Sequence, residues 1–499
     1  MAKEHLTNID TLMLRVEDDV NPNHGTGVMV LGAPLDFERL KQTVLARLLC
    51  FARFRQRVVE PVLPWRPPSW QDDPDFDLRY HLQKASLQPP GDQASLQELV
   101  SLLAGTPLDL DRPLWQVYYI GNYGPGSALI CRVHHSLADG VALMHVLLSL
   151  ADPDPGAPSP LFETDYRPQE PDGSSAAEPR SRTRAPGSLV RKGRDLLAHP
   201  PSGAEMARLG QDAVATVREL MLSPPDADTA LRGSRSEVKR VAWSGPIPLA
   251  DIKAAGSRLH GTVNDMLLTA VAGALRRYLQ DRGEPLVDVR IRALVPISLR
   301  PSGTERDLGN RIGIVLLPMP VDGAGPLDRF RELKRRMDEF KGTLEAPVVY
   351  AAMNTFGRAP SGVVSPLVDH LCSRATVVVT NVKGPQEPLY LAGAPLEEFM
   401  FWIPRFGGIG LGIGILSYNG QVRVGVISDR DVVPDPQAVI TGFHQEFDAL
   451  LALALTLEAT PTTADLSAKL GDALATLDQL LASDAGSRKP DITSTPDEE

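Results

Sequence analysis

A proline-rich, polar stretch between residues 152 and 187 constrains the possible folds of this chain more than any other feature. It contains eight prolines and few apolar side chains. Such a stretch buries too little apolar surface to offset the conformational entropy lost on ordering, so we predict a linker or a long exposed loop. The segments that can form a core lie on either side of it. We therefore expect two separate α/β blocks rather than one continuous domain.

The predicted domain organisation follows from these two blocks. Both combine apolar runs typical of strands with apolar residues at helical spacing, which predicts mixed α and β structure. The predicted order is an N-terminal domain over residues 1–151, a proline-rich and then basic linker over 152–202, a connecting amphipathic helix and link over 203–235, a C-terminal domain over 236–458, and a last helix with a disordered tail over 459–499.

Individual elements are predicted from the spacing of the apolar residues. Helices are predicted over residues 35–57, 96–104, 141–150, 203–222, 265–278, 436–457 and 464–482. Strands are predicted over residues 116–120, 128–134, 287–295, 312–319, 375–379, 409–417 and 422–427.

Between residues 408 and 415, glycines alternate with branched apolar residues, which gives that strand one bare face. Such a face favours either the close approach of a ligand or tight packing against another element.

Composition excludes several classes of function. The 62 acidic and 51 basic side chains leave a formal charge of −11, whereas nucleic-acid binding needs clustered Lys and Arg. We therefore expect no nucleic-acid partner. The three cysteines are far apart and odd in number, which gives neither a disulfide framework nor a CxxC metal site and favours a reducing compartment.

The apolar runs of the sequence do not predict a membrane-spanning helix. A spanning helix needs about 20 predominantly apolar residues. The uncharged runs over residues 113–131 and 406–422 are both interrupted by several glycines. The first residues interleave charges with apolar residues and lack the apolar core of a secretory signal. We expect a soluble, cytoplasmic protein that is at most peripheral on a membrane.

Two adjacent histidines, His134 and His135, form the most chemically informative segment. They end a predicted strand and precede a loop and an apolar helix. Because side chains alternate along a strand, His135 shares the apolar face while His134 lies on the face of Arg132. Desolvation on the apolar face disfavours the imidazolium, so His135 is predicted to remain neutral and act as a base near neutral pH. His134 is predicted to hold structure.

Other roles are compatible with this segment. A histidine at a strand end is often only a satisfied polar group. A metal site formed by His134, His135 and Asp139 is disfavoured, because adjacent strand residues point apart and no further His or Cys lies nearby in the sequence. Asp139 also suits the N-cap of the following helix, and Gly140 suits a tight turn.

The segment from His134 to Gly140 matches the HHxxxDG motif of the CoA-dependent acyltransferase superfamily. The rest of the chain resembles one branch of that superfamily, the bacterial wax ester synthase/acyl-CoA:diacylglycerol acyltransferases. The similar motifs lie in the same order from about Leu6 to Leu457. They are Pro113-Leu114-Trp115, Asn264-Asp265, and residues 295–300, 308–311, 417–420 and 429–435.

The resemblance implies a chloramphenicol-acetyltransferase-like fold, in which two similar α/β domains with mixed sheets meet at a central tunnel. It implies transfer of a long-chain acyl group from acyl-CoA to a long-chain alcohol or diacylglycerol, giving wax esters or triacylglycerol. Acyl-CoA is a substrate, and neither a cofactor nor a metal is implied.

Because acceptor and product are nearly insoluble in water, peripheral association with the inner membrane or lipid droplets is also expected. The basic residues between 180 and 194 suit anionic lipid, or only a solvated linker.

The resemblance also implies roles for single residues. His135 is the general base that takes the acceptor's hydroxyl proton, and His134, Asp139 and Gly140 complete the catalytic motif. Asp139 forms a salt bridge to an arginine that the sequence does not specify, and Gly140 lets a substrate pass close to the backbone. Substrate-binding or positioning roles are expected for Asn264, Asp265, Ser298 and Trp115, although the first two equally suit the N-terminus of their helix.

Two departures from the family pattern leave the acyl acceptor open. Residues 381–385 read Asn-Val-Lys-Gly-Pro where the family shows Asn-Val-Pro-Gly-Pro, and residues 21–25 follow its Pro-Met-His pattern only loosely. Two alternatives share the motif: a condensation-type or short-chain alcohol acyltransferase, and a non-catalytic homologue at a lipid surface. The chain carries no carrier-protein module, which weighs against condensation. The intact His135 and Asp139 weigh against a non-catalytic protein.

Overall fold

The computed structural model describes residues 4–63, 66–157, 218, 221–301, 307–340, 343, 345–456, 470 and 473. Most of the predicted linker, most of the helix predicted over 203–222, and all of the helix and tail predicted after residue 458 except residues 470 and 473 lie outside the described residues. Within the described part, helices and strands build mixed sheets. The predicted α/β class is therefore confirmed.

The first large sheet is built mainly from the N-terminal half of the chain. Its seven strands are, in spatial order, β5 (Leu82–Ala85), β6 (Trp115–Tyr123), β7 (Gly126–His134), β2 (His24–Leu31), β15 (Ala394–Trp402), β14 (Tyr390–Leu391) and β8 (Ala151–Asp152). Only β5 and β6 pair in parallel. Every residue of β7 is buried, so both faces of the sheet are covered at its centre.

The second large sheet comes from the C-terminal half. In spatial order its strands are β10 (Ile247–Pro248), β17 (Gln421–Asp429), β16 (Leu411–Tyr418), β13 (Val377–Lys383), β11 (Arg292–Ser298) and β12 (Ile312–Pro318), with β9 (Lys239–Trp243) also paired to β17. Strand β13 pairs in parallel with both β11 and β16. A small third sheet contains β1 (Glu4–His5), β4 (Ser69–Asp72) and β3 (Gln56–Val59).

Helices cover both large sheets. Those of the described residues are α1 (Asn8–Arg15), α2 (Phe37–Thr43), α3 (Leu78–His81), α4 (Gln93–Gly105), α5 (Gly140–Leu148), α6 (Leu249–Arg258), α7 (Val263–Gln280), α8 (Pro326–Phe340), α9 (Glu345–Phe356), α10 (Ser361–Cys372) and α11 (Pro436–Thr456). The long helices α7 and α11 pack together on the second sheet and form its main apolar core.

Helix α11 is long and apolar enough to cross a membrane when judged by length and composition alone. Its apolar residues Val439, Phe443, Phe447 and Leu450 are buried in the core of the second sheet. A core helix passes the same test of length and composition. The contacts of α11 are therefore those of an interior helix.

The two sheets do not divide the chain at a single point, because β14 and β15 of the C-terminal half complete the first sheet. Strand β15 consequently packs closely against β16 of the second sheet. Gly414 makes this approach possible, because a side chain there would clash with the carbonyl oxygen of Phe401. Gly410 is similarly close to Val432, which follows β17. Of the two roles predicted for the alternating glycines, the structure shows tight packing.

Two predicted elements differ from the observed ones. The helix predicted over 35–57 ends as α2 at Thr43, continues as a π-helical turn over Val44–Leu48, and gives way to β3, whose pairing with β4 is a long-range contact. The strand predicted over 287–295 begins only at Arg292, because Asp288 has a φ of 57° that interrupts an extended chain.

Candidate active site

An apolar cavity of about 280 Å³ lies between elements of the two halves of the chain. Its walls come from α1, α9 and α10 and from strands β11, β12 and β13. Apolar walls suit an alkyl chain, and the few polar groups of such a cavity orient the reacting part of a ligand. The lining side chains with a nitrogen or oxygen group are His135, Ser298, Thr380 and Asn381.

His135 follows the last residue of β7 and lines this cavity. Its backbone N–H donates to the carbonyl of Asn23 at 2.9 Å, which fixes the chain where it leaves the sheet. The ring atom Nδ1 lies 3.0 Å from Oδ1 of Asn310. Because an amide oxygen can only accept, Nδ1 carries the proton and Nε2 keeps its lone pair.

Burial lowers the pKa of His135, against an opposing effect of Asp139. The ring is therefore neutral near pH 7.

His134 does not line the cavity, and its contacts are those of a positioning residue. The ring is fully buried. Its Nδ1 accepts a hydrogen bond from the backbone N–H of Ser136 at 3.0 Å, and its Nε2 lies 3.0 Å from the carboxylate of Glu17. The ring thus ties the loop after β7 to the segment after α1.

Asp139 is held by an arginine from the other half of the chain. Its Oδ1 accepts from the N–H of Ala142 at 3.1 Å and caps α5. Its Oδ2 accepts from Nε of Arg300 at 2.8 Å and from the N–H of Arg311 at 2.9 Å. The ion pair with Arg300 is almost completely buried. Asp139 therefore fixes the loop with both of its oxygens, and Arg300 is the arginine that the sequence left unspecified.

The HHxxxDG loop and the segment over 308–311 hold each other in place. The N–H of Gly309 donates to the carbonyl of Leu137 at 2.9 Å, and residues Ala138 and Gly309 form a parallel β-bridge. Gly309 has a φ of 99°, which favours glycine. Two motifs that are distant in the sequence thus form one structural unit around His135.

The Asn264-Asp265 motif divides into two roles. Asp265 does not line the cavity and has the helix-terminus role that its position in the sequence equally suited. Its Oδ2 accepts from the N–H of Thr262 at 2.8 Å, and its own N–H donates back to Oγ1 of Thr262 at 3.2 Å. These contacts form the capping box at the start of α7, and they bond the Asp265 carboxylate to Thr262 of the same turn. Asn264 accepts at 3.0 Å from Nδ2 of Asn381, a cavity residue. Its contact with the site is therefore indirect.

Trp115, for which a substrate-positioning role is expected, is a core residue. It is fully buried and is not part of the cavity wall. Its indole N–H donates to the carbonyl of Phe54 at 2.8 Å, and its ring stacks on His81 with the centroids 4.7 Å apart. The large ring therefore packs the interior of the first half of the chain.

Three residues of the site were not predicted. Thr380 and Asn381 line the cavity because the parallel pairing of β13 with β11 brings them to the wall that also holds Ser298. Asn310 lies in the predicted motif over 308–311, but its partner His135 is 175 positions away in the sequence. Local patterns carry no signal for such a contact.

Comparison with known proteins gives a consistent result. The profile of the wax ester synthase/diacylglycerol acyltransferase catalytic domain matches residues 6–267, and that of the WS/DGAT C-terminal domain matches residues 308–451. Two proteins named diacylglycerol O-acyltransferase, from Mycobacterium bovis and Mycobacterium tuberculosis, are each 29% identical over 472 residues, which is 93% of this chain and 99% of theirs.

Solved structures show the same fold. The wax ester synthase/diacylglycerol acyltransferase from Marinobacter aquaeolei VT8 has a TM-score of 0.63 at 24% identity, covering 90% of this chain and 99% of its own. The first condensation domain of the calcium-dependent antibiotic synthetase has a TM-score of 0.58 at 15% identity, covering 92% and 98%.

The chain therefore has the fold of the wax ester synthase/diacylglycerol acyltransferase and condensation-domain structures, in agreement with the predicted fold class. The chain belongs to the wax ester synthase/diacylglycerol acyltransferase family, and it is an acyltransferase.

Proposed function

We propose that this protein moves a long-chain fatty acyl group from acyl-CoA to the hydroxyl group of a long-chain alcohol or diacylglycerol, making wax esters or triacylglycerol. The observation that carries the proposal is the position of His135 on the wall of an apolar cavity, with its Nδ1 bonded to Asn310. Apolar walls stabilise an alkyl chain because they remove it from water. The names of the relatives, which refer to diacylglycerol and wax ester substrates, support the same chemistry.

In the proposed reaction His135 is the general base. Its Nε2 accepts the proton of the acceptor hydroxyl while the hydroxyl oxygen attacks the carbonyl carbon of the thioester. The carbon–sulfur bond then breaks, and His135 returns the proton to the departing CoA sulfur. The thioester is already activated, so the reaction needs no cofactor beyond the acyl-CoA substrate.

Transfer is proposed to be direct, without an acyl-enzyme. Cys372 lines the cavity, but burial raises the pKa of its thiol to about 12. The thiolate, which is the nucleophilic form, is therefore scarce at neutral pH.

The proposal is tested with purified full-length protein, radiolabelled palmitoyl-CoA and either hexadecanol or dioleoylglycerol, with butanol as acceptor in a parallel reaction, followed by lipid separation and titration of free CoA thiol. We expect labelled wax ester or triacylglycerol, formed in step with CoA release. Labelled free fatty acid without ester, or no CoA release with either acceptor, would contradict the proposal. Ester formed only with short-chain alcohols would favour the short-chain alternative.

The pH dependence of the reaction should report the state of His135. Because the pKa of His135 in the folded protein lies below its usual value of 6.5, the base form persists to lower pH than in a free histidine. We expect the acid limb of the kcat/KM profile, where the rate falls as the pH drops through the lowered pKa, to be centred below 6.5. A pH–rate profile measures this directly, and an acid limb centred at or above 6.5 is the contrary result.

Gly140 provides a test of the cavity itself. It begins α5 and lines the cavity, and a Cβ added there would meet no atom within 4 Å. Gly140→Leu should therefore fold normally, but its new side chain should project into the substrate path. We expect the rate of acyl transfer to fall about 10²-fold, because the reactants are displaced from each other. Gly140→Ala, the matched control, should keep both its melting temperature and most of its activity. Full activity of Gly140→Leu would mean that no substrate passes this point.

We also propose that the protein works on a lipid surface, at the cytoplasmic face of the inner membrane or on lipid droplets. Helices α9 and α10 cover the cavity with apolar residues on their inner sides, including Val348, Met353 and Val368. Glu345 is the only charged residue in α9, and the neighbouring surface exposes Val363 by 59% and Leu222 by 71%. An apolar surface above an apolar cavity gives a fatty substrate a route that avoids water.

Single substitutions on that surface test the lipid contact. Val363→Asp should lower cosedimentation of the protein with phosphatidylcholine/phosphatidylglycerol vesicles, because a charge opposes burial in lipid. Turnover of soluble short-chain substrates should not change, since Val363 does not line the cavity. Val287→Asp is the control, because Val287 is an 82% exposed valine elsewhere in the chain. Equal vesicle binding by both variants and the wild type would contradict the proposed surface.

A further inference from the structure

The ring of His135 is oriented by a neutral amide rather than by a carboxylate. Its Nδ1 lies 3.0 Å from Oδ1 of Asn310, and no carboxylate oxygen of the described residues is bonded to this nitrogen. Asp139, the acidic residue of the same motif, uses its oxygens for Ala142, Arg300 and Arg311 instead. The group bonded to Nδ1 of the ring therefore lies outside the HHxxxDG motif.

The amide of Asn310 has a single orientation in this site. Its Nδ2 donates to Oδ1 of Asp10 at 2.8 Å and to the carbonyl oxygen of His135 at 2.7 Å. Its backbone N–H donates to the same Oδ1 of Asp10 at 3.0 Å. Both amide hydrogens thus face acceptors, and only the amide oxygen remains for the ring. A flipped amide would put two donors against Nδ1–H and an oxygen against two acceptors.

Asp10 is itself fixed and buried. It lies on α1 with no exposed surface, and its Oδ2 is 3.4 Å from Nη1 of Arg53. Arg53 also donates to the carbonyl of Leu137 at 2.8 Å and pairs with Glu4. The side chain of Asn310 therefore separates the negative charge of Asp10 from the imidazole, and Arg53 balances that charge.

We propose that Asn310 and Asp10 are positioning residues that hold His135 in the tautomer with a proton on Nδ1 and a free lone pair on Nε2. Asp10 orients the amide of Asn310, and Asn310 in turn orients the ring. The inference rests on the proposed role of His135 as general base. The arrangement selects the tautomer without placing a full negative charge against the ring, which would stabilise the imidazolium and weaken the neutral base near pH 7.

Kinetics of three variants test whether the two residues act in one chain. Asn310→Leu keeps the approximate shape but removes the acceptor, and we expect kcat to fall roughly 10–100-fold, the loss usual for hydrogen-bond partners of metal-bound histidines. Asp10→Asn should give a smaller loss. Because Asp10 acts through Asn310, the double variant should be no slower than Asn310→Leu alone. Losses that multiply in the double variant, or an Asn310→Leu variant with wild-type kcat, would overturn the proposal.

The tautomer is also measured without any turnover, by ¹⁵N NMR of His135 in the full-length protein near pH 7. The wild type should show a protonated Nδ1 and an unprotonated Nε2, and Asn310→Leu should show protonation of Nε2 in part of the population. A wild-type ring protonated at Nε2, or a spectrum unchanged in Asn310→Leu, would overturn the proposal. This readout stays valid if His135→Ala remains active, so failure of the proposed base and failure of the positioning pair are distinguishable.

Discussion

Replacing His135 by alanine is expected to lower kcat for acyl transfer by about 10²–10⁴-fold, the usual contribution of a positioned general base. The fold should survive. The variant loses the side-chain hydrogen bond to Asn310, but the backbone bond to Asn23, which fixes the chain at this point, does not depend on the side chain. The variant should therefore keep its circular dichroism spectrum and a cooperative unfolding transition. The rate is measured as release of CoA thiol with palmitoyl-CoA and hexadecanol.

His145→Ala is the matched control for this experiment. His145 lies on α5, only ten positions further along, and its side chain is exposed. Its turnover should be close to that of the wild type. A His135→Ala variant with near-normal turnover would contradict the role of His135 as base, and an equal loss in both variants would show that the effect is not specific to that ring.

The second large effect is expected in stability. Asp139→Ala removes both the N-cap of α5 and the carboxylate partner of buried Arg300. Removing one member of a buried ion pair costs about 3–5 kcal/mol, because the remaining charge stays in the interior. We therefore expect the free energy of unfolding, measured by denaturant titration, to fall by at least about 3 kcal/mol. Acyl transfer should fall as well, since the loop that carries His135 loses its support.

An exposed ion pair supplies the comparison for Asp139→Ala. Arg430 and Asp431 lie 3.1 Å apart with about half of each side chain exposed. Asp431→Ala should lower the free energy of unfolding by less than about 1 kcal/mol, as is usual for surface pairs. If Asp139→Ala is no more destabilising than Asp431→Ala, the buried ion pair does not hold the loop.

Roles that depend on neighbours in the sequence were predictable from it. The change from strand to helix around His135 indicated a histidine pair at the end of β7 and suggested Asp139 as a possible N-cap, and the structure has both features. The alternating glycines between 408 and 415 indicated a bare strand face. Whether that face met a ligand or another strand was left open, because the answer depends on β15 of the first sheet packing against β16 of the second.

Roles that depend on contacts between the two halves were not predictable. Arg300 and Asn310 reach Asp139 and His135 only because the segment around Gly309 forms a β-bridge to the HHxxxDG loop. The positions of Trp115 and Asp265 in the structure show a different limit of the sequence. Their motifs identify the family but do not reveal which face of an element is buried, and both residues satisfy their polar groups within the fold.

Photolabelling with palmitoyl-CoA that carries a diazirine at the end of its acyl chain tests most directly whether the cavity beside His135 holds the acyl chain. After irradiation and peptide mapping, crosslinks are predicted on the cavity walls formed by α1, α9, α10, β11, β12 and β13, and they should disappear with excess unlabelled palmitoyl-CoA. Crosslinks that compete normally but lie only on elements outside these walls would contradict an acyl site next to His135.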